Sequence, residues 1–557
     1  MSKANIFGIM RKICLITFMV FFGAIGGLMA QKDTSTKPVV TIVSSYKPTL
    51  LKSAKIGFAG KVLDPDSSRI VRKYEVPVQN LMYVYQPISL KPLAIEPVSL
   101  EGNQLTMKAK VGFGNYTSPF LQASVQYGNI RTGLINAKVG YTSSKTKRQY
   151  QQFSLLNGGL DGVMKLGKHQ ISGGLELERR RQNRFGYDAE LFKLSREQVN
   201  QGTNRMKVNA EIKNAYAENS KIQYGPTLSL DYFSFANSYR ETEFEFQTPV
   251  QFKINQSLDF ALNAGLDVTS INRKDSLKNT GSKNNNLLYA SPVLKYHDKS
   301  LKLSAGIGAV SDNGQWTILP NLHAEYPLLR KNLIIQTGWT GRIIKNTFGN
   351  LINQCFFVLP PEFQKNTKET EWYGGIRSNV TKHLVFNAKL SVLRYKQFVL
   401  FINDTTSGKP GNDYLVSYEP TMSNFRLHAD ASYVVRDKIN LTAGIDFNGY
   451  AGTQINRKAW NTLPLECHVT ANWHFKKKIQ FEADFYYFAG GKYLKVNNEA
   501  GTIKGAADLS VSGEYQINKT WSAYINLNNI FGSKYQRWQN YPVLGFQAMA
   551  GVCWSLK

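Results

Sequence analysis

From Gln104 onward the chain alternates apolar and polar residues with period two, segment after segment, and no other feature restricts its fold as tightly. Ile439, Leu441, Ala443, Ile445 and Phe447 take odd positions, while Asn440, Thr442, Gly444, Asp446 and Asn448 take even ones. The same alternation runs through 206–213, 258–263 and 479–485. In an extended strand successive side chains point to opposite faces, so each of these segments must serve an apolar environment on one side and a polar one on the other.

Short polar turns punctuate the alternation at 128–129, 167–169, 218–221, 255–257, 297–299, 330–332, 381–383, 436–438, 476–478 and 518–520. Between successive turns lie two strands joined by a longer and more variable connection, as at 185–202, 273–286, 342–370, 403–420 and 490–504. Tight turns on one side and long loops on the other are the hairpin asymmetry of an outer-membrane barrel. Ten such turns join twenty strands, and one further strand at each end gives about twenty-two. The count is even and leaves both ends on the short-turn side, as such barrels require. A propeller also repeats every ~40 residues, but its strands are shorter than these runs and no blade signature recurs. The reading is therefore all-β: residues 103–557 form a single transmembrane antiparallel β-barrel, closed so that every backbone polar group is paired.

The alternation also assigns the faces. Trp521, Ala523, Ile525 and Leu527 should meet lipid, and Ser522, Tyr524, Asn526 and Asn528 the lumen. Trp339, Trp372, Trp473, Tyr486, Tyr487, Trp521 and Trp554, near strand ends, should form the interfacial girdles. Lys138, Lys207, Lys213, Lys389, Glu211, Asp259, Asn263, Asp267, Asp446, Glu482 and Asp484 fall on the luminal face, which is polar and of mixed sign.

The first 103 residues follow other rules. Lys3, Arg11 and Lys12 precede an apolar run from 13 to 27, and Leu28-Met29-Ala30 provides a small-residue ending before Gln31. Residues 1–30 read as a secretory signal peptide cleaved between Ala30 and Gln31. Residues 31–102 carry Pro38, Pro48, Pro65, Pro77, Pro87, Pro92 and Pro97 among short apolar runs. Proline at that density suits an extended periplasmic or lumen-filling segment, and about seventy residues with so little periodicity could hardly bury a core. After residue 30 no stretch approaches the roughly 18 apolar residues of a spanning helix. The location expected is the bacterial outer membrane, with both termini in the periplasm.

The closing segment carries a resemblance. Leu527-Asn528-Asn529-Ile530-Phe531-Gly532-Ser533-Lys534-Tyr535, then Tyr541-Pro542 and Gly545 before a last alternating strand, resembles the C-terminal end of TonB-dependent receptor barrels. The resemblance covers the barrel and implies a transporter. Two departures point to a plugless, porin-type relative. Those receptors carry a folded plug of well over a hundred residues where about seventy proline-rich residues stand here, and Phe546 replaces the usual Arg after the Gly. Val39, Val40, Thr41, Ile42 and Val43 are faintly like the extended apolar box that pairs with a periplasmic partner's sheet edge.

No GxSxG, HExxH, P-loop or EF-hand pattern occurs in a supporting context, and no Ser stands out as a nucleophile, so the chain reads as a non-enzyme without a cofactor. Glu466, His468 and His474 share a strand face near His428 and Asp430, but His474 lies about 20 Å along the strand from His468, and scattered luminal histidines explain the pattern better than a metal site. Cys355, Cys467 and Cys553 form no CxxC pair.

The formal charge of +29, from 68 Lys and Arg against 39 Asp and Glu, would suit a nucleic-acid partner, yet an exported chain meets no chromosomal DNA. The excess instead marks a pore rim and turns facing acidic lipid, lipopolysaccharide included, and anions. Arg179, Arg180, Arg181 and Arg184, with Arg273 and Lys274 and near Lys145, Lys147, Arg148 and Arg240, are the candidate contacts to lipid phosphates or anionic solutes. The leading function is passage or uptake of a solute. The alternative is an envelope assembly or structural platform whose segment 31–102 binds periplasmic proteins, with a lipid-handling enzyme as a weaker third.

Overall fold

The computed structural model describes residues 104–129, 131–215, 220–236, 238–273, 283–298, 300–328, 332–406, 409–436, 438–476, 478–495 and 497–556. The signal peptide, the proline-rich segment, the Val39 to Val43 run and Lys274 lie outside them.

The first half of the wall contains β1 (Gln104–Gly114), β2 (Ser118–Asn129), β3 (Gly133–Lys145), β4 (Gln152–Leu166), β5 (His169–Asn183), β6 (Asn200–Asn214), β7 (Ile222–Tyr224), β8 (Thr227–Phe235), β9 (Tyr239–Lys253), β10 (Leu258–Arg273), β11 (Lys283–His297), β12 (Lys302–Asp312) and β13 (Gln315–Leu328). The second half contains β14 (Leu333–Ile344), β15 (Thr367–Asn379), β16 (Leu384–Asn403), β17 (Tyr414–Val435), β18 (Ile439–Ala451), β19 (Leu465–Phe475), β20 (Ile479–Phe488), β23 (Ala506–Gln516), β24 (Trp521–Asn528) and β27 (Gln547–Leu556). Two small hairpins sit in the loops, β21 (Lys492–Leu494) with β22 (Ala500–Thr502), and β25 (Gln536–Trp538) with β26 (Tyr541–Pro542). The helices are short: α1 (Arg196–Val199) and α2 (Phe348–Gln354).

Apart from short β7, which pairs only with β9, every wall strand pairs antiparallel with the next long strand of the wall, and β1 pairs with β27 from Met107↔Leu556 to Gly114↔Met549. The sheet is thereby a closed barrel. β7 and β8 occupy one stave, broken at Gly225-Pro226, so the wall has 22 staves, as the turn count required. At the closing seam, a Cβ on Gly112 would lie 2.2 Å from the Tyr524 hydroxyl, and one on Gly551 would lie 2.1 Å from the Val111 carbonyl. Only glycine lets the Tyr524 ring lie across the seam.

All ten tight turns fall between strands where the sequence puts them, and their chemistry is visible. The side-chain oxygens of Asn129, Asn255, Asn518 and Thr381 accept from the backbone N–H two residues on, at 2.7, 2.9, 2.8 and 3.1 Å. The opposite end is less uniform than the sequence suggested. Three of its connections, 115–117, 236–238 and 313–314, are also tight, and β17 begins at Tyr414, well inside the long loop expected over 403–420.

Burial is inverted relative to a soluble core. Leu105, Val111, Phe113, Ile135, Leu160, Leu177, Ile307 and Ile525 are exposed on the outer face, whereas Lys110, Asp259, Asp267 and Glu482 are buried on the inner one. An apolar band of this kind is stable only against lipid, where shielding a Leu or Phe is worth about 1.5–3 kcal/mol. The Trp339 and Trp372 rings stack on the outer face 5.8 Å apart, as girdle residues should. Tyr486 departs from the girdle expectation: its hydroxyl donates to luminal Glu466 at 2.9 Å, and its ring packs against Phe488. Parity decides the matter, because Tyr486 shares a face with Glu482 and Asp484 and not with Phe481.

Candidate functional site

Below the mouth, the luminal wall is a lattice of charge pairs within and between neighbouring staves. Arg426 binds Asp446 at 2.6 Å, and His428 lies 3.1 Å from Asp446 and 3.3 Å from Asp430. Lys389 pairs with Glu371 at 2.8 Å, Arg342 with Glu369 at 2.7 Å, and Lys213 with Glu211 at 3.3 Å. Thr470 donates to Asp484 at 2.9 Å. The His428 and Asp430 suggested by the sequence thus come together with Arg426 and Asp446 in an ion-pair cluster. His468 lies against Gly444, and His474 is exposed near the short-turn end, apart from them. Among the described residues no group of three His, Cys, Asp or Glu is arranged to hold a metal.

At the long-loop mouth the described loops fold in on one another. The connection 345–366 between β14 and β15 folds inward and carries α2 with it. Phe348, Leu351, Cys355 and Val358 are completely buried there. Phe348 sits edge-on among Phe233, Phe235 and Tyr239, at centroid distances of 5.8, 5.2 and 4.9 Å. Phe357 stacks on Tyr541, and Phe185 meets both rings edge-on. Trp538 packs against Phe401 and Tyr414. These rings come from β8, β9, β16 and β17 and from three different loops, so the cluster ties together staves far apart in the wall order.

Polar contacts fix the cap to the wall. Glu241, buried on β9, accepts from the Phe348 N–H at 2.9 Å, from the Tyr239 hydroxyl at 2.7 Å and from Gln364 at 2.9 Å. It thereby anchors the start of α2 by satisfying an otherwise orphaned N–H. Lys345, at the root of the loop, pairs with Asp267 and with Glu243. The Gln201 side chain donates to the Phe356 carbonyl. Tyr414 exchanges backbone hydrogen bonds with the segment 357–359, at 3.1 Å to the Phe357 carbonyl and 2.8 Å from the Leu359 N–H. Burial pushes the Cys355 thiol well above its ordinary pKa, so it is protonated and sealed within the cap.

The closing-motif residues build the same cap. Asn528 ends β24, and Asn529, in a left-handed conformation, donates to the Ser533 and Leu544 carbonyls at 2.7 Å each. This folds the loop 529–546 back on itself. Tyr535 is buried with its hydroxyl on Asp508 at 2.8 Å, and Tyr541 reaches the Asn412 carbonyl inside the aromatic cluster. The Pro542 carbonyl accepts from Gln151 at 3.3 Å. Phe531 points outward, exposed, and Gly545 comes close to the Gly532 carbonyl.

The arginine candidates divide between two sides of the wall. Arg180 faces inward, paired with Glu178 at 3.4 Å and lying over the Phe356 ring. Arg184 pairs with Asp413 and donates to the Gln198 carbonyl at 2.7 Å, and Arg273 reaches the Pro361 carbonyl at 3.4 Å. These three brace the cap. Arg179 and Arg181 share the outer face with Leu177 and are exposed. The sequence offered no reason to single out Phe348, Phe357, Lys345 or Glu241, because the loop's inward fold is a tertiary event. The run Phe356-Phe357-Val358-Leu359, too apolar for a solvated loop, was the available signal.

No protein-family model and no curated protein matches the chain by sequence. Solved structures do match. The FrpB iron transporter from Neisseria meningitidis (F3-3 variant) superposes with a TM-score of 0.63 at 9% identity, covering 82% of each chain. The siderophore receptor PirA from Acinetobacter baumannii gives 0.61 at 8% identity, covering 82% of this chain and 80% of that one. The pyoverdine outer membrane receptor FpvA from Pseudomonas aeruginosa PAO1 gives 0.60 at 9%, covering 81% and 78%. At such identities the likeness establishes the fold, a 22-stranded barrel of the TonB-dependent receptor type, as the closing motif implied.

Proposed function

We propose that this chain is an outer-membrane transport or channel protein that passes or takes up a solute through a barrel whose outer mouth is gated by its own loops. The observation that carries the reading is the cap: an aromatic cluster, assembled from loops and strand ends on several sides of the barrel, lies over a luminal face lined with charged groups. A purely structural barrel needs no charged interior, whereas a conduit for a polar solute does, and a loop cap over it is a means of gating. The neighbouring folds, named as transporters and receptors of iron, siderophore and pyoverdine, support the same class.

On this reading residues 1–30 are removed between Ala30 and Gln31, both termini face the periplasm, and residues 31–102 replace a folded plug. Val39, Val40, Thr41, Ile42 and Val43 would offer an extended edge to a periplasmic partner. The test is planar-bilayer conductance of the purified protein with and without residues 31–102, together with solute-binding measurements. Conductance that rises on removing 31–102 supports the proposal. If neither form conducts and no solute binds, the transport reading fails in favour of the platform alternative.

A further inference from the structure

On the outer wall between β3 and β8, the apolar surface ends along a definite line. Facing outward along β5, the side chains run Ile171, Leu175 and Leu177, then change to Arg179 and Arg181. The registers set Tyr141 beside Leu156, Leu156 beside Arg179, and Arg179 beside Asn204. Half-exposed Tyr141 stands at this level, and half-exposed Tyr232, in register with Met206 and Leu177, one outward position below it, as girdle residues do. The arginines therefore emerge where the bilayer's hydrocarbon gives way to headgroups, at the long-loop end.

One position further out the wall is hollow. Arg181 is flanked by Ser154 and Gly202, and Ser154 by Ser143. A Cβ on Gly202 would come no closer to any atom than 4.0 Å, so nothing fills the space above it. These small residues floor a groove of about 720 Å³ that Lys145, Arg179, Arg181 and Arg196 also line, with Glu197 its one carboxylate. Arg179 and Arg181 lie about 7 Å apart along the strand. Neither makes a hydrogen bond or an ion pair with any described residue, unlike Arg180 between them, which turns inward to Glu178. Unpaired guanidinium forks side by side over a hydroxyl- and amide-lined hollow match the planar, bidentate recognition of phosphate oxygens.

We propose that this groove binds the headgroup phosphates of an acidic lipid in the outer leaflet, with Arg179 and Arg181 as the gripping pair, Lys145 contributing charge, and Ser143, Ser154 and Asn204 donating around them. This rests on the barrel lying in a membrane, as read above. The occupant is a lipid and not a free anion because the gripping pair continues the outward face of Leu175 and Leu177, with exposed Leu156 in register with Arg179, and acyl chains would pack on that surface.

The test uses the full-length protein in nanodiscs. Native mass spectrometry would measure retention of diphosphorylated lipid A against its dephosphorylated form, with inorganic phosphate as a competing arm. R179Q/R181Q should weaken retention roughly thirtyfold, taking about a fivefold contribution per cationic side chain near a membrane surface. R179K/R181K should lose less, since charge remains while the forks are gone. Heat-modifiable gel migration should not change in either variant. Unchanged retention in a heat-modifiable R179Q/R181Q barrel overturns the proposal, and so does full displacement by millimolar inorganic phosphate, which would mark a free-anion site. Loss of heat-modifiability in the unaltered protein would instead overturn the barrel reading. If the double variant does not fold, R181Q alone serves, with roughly a fivefold loss expected and an unchanged value refuting.

Discussion

Replacing Phe348 by alanine should unseal the mouth while leaving the wall intact. Its ring is fully buried and makes three edge-on aromatic contacts, to Phe233, Phe235 and Tyr239, yet it belongs to a loop, and its one bond to the wall, from the backbone N–H to Glu241, is kept in alanine. Truncating a buried Phe costs about 3–5 kcal/mol, of which each aromatic pair accounts for about 0.5–1.5 kcal/mol. Because the open cap leaves the same wall behind it, that loss falls on the equilibrium between closed and open cap. Even the lower figure, about 3 kcal/mol, raises the open population roughly 150-fold. Cys355 reports it directly: it is fully buried within the cap, and burial holds its thiol protonated. With Cys467 and Cys553 changed to serine, maleimide labelling of Cys355 at pH 8 should be slow in the parent and about two orders of magnitude faster in Phe348→Ala. Labelling follows the open population when closing outpaces reaction. Phe348→Leu, which keeps most of the volume, should show tenfold or less. A Phe348→Ala rate within threefold of the parent, in protein that still migrates as a folded barrel, would refute the idea that this ring holds the cap.

Other consequences are smaller or more local. Gly551→Val should lower the temperature at which the barrel loses its compact gel migration by at least several degrees, because the new Cβ would lie 2.1 Å from the Val111 carbonyl at the closing seam; an unchanged midpoint would contradict that geometry. Lys345→Met should speed Cys355 labelling, since it leaves buried Asp267 and half-buried Glu243 without their cation, a loss of about 3–5 kcal/mol for a broken buried pair. A rate equal to the parent's would remove Lys345 from the cap's anchoring. Asp404 governs the pH response of the loop 404–413. Burial raises its pKa, but hydrogen bonds from the Thr406 hydroxyl and N–H and from Lys409 outweigh this and leave the carboxyl below its ordinary value. A depressed carboxylate stabilises above the unfolded value, near about 4, and is lost only as pH falls through the folded one. Protease nicking of that loop should therefore be flat from pH 7 to pH 5 and rise below about 4, and Asp404→Asn should be nicked readily throughout.

The wall was legible in the sequence because the period-two pattern and the turn residues are local. Asn129, Asn255 and Asn518 make the backbone contacts that their side chains dictate, and Asp259, Asp267 and Glu482 face inward as parity demands. The cap was not legible, because it depends on where distant loops meet. Phe348 looks like any loop aromatic until β8 and β9 bring Phe233, Phe235 and Tyr239 around it. The arginine run shows the same limit within three residues: 179 to 181 reads as one cluster, but pleating sends Arg180 into the mouth and Arg179 and Arg181 onto the outer wall. Tyr486 shows a related limit: its place near a strand end suggests a girdle, but its parity with Glu482 and Asp484 puts it in the lumen.

The central claim, a conduit closed by its own loops, meets its most direct test in single-channel conductance. Two forms lacking residues 31–102 should be compared, one with the cap residues 348–358 intact and one with them replaced by a short Gly-Ser linker. The expected result is brief, low conductance from the first and a steady, severalfold larger step from the second. Equal conductance from the two would contradict the gating role of the cap, and silence from both would contradict the conduit itself.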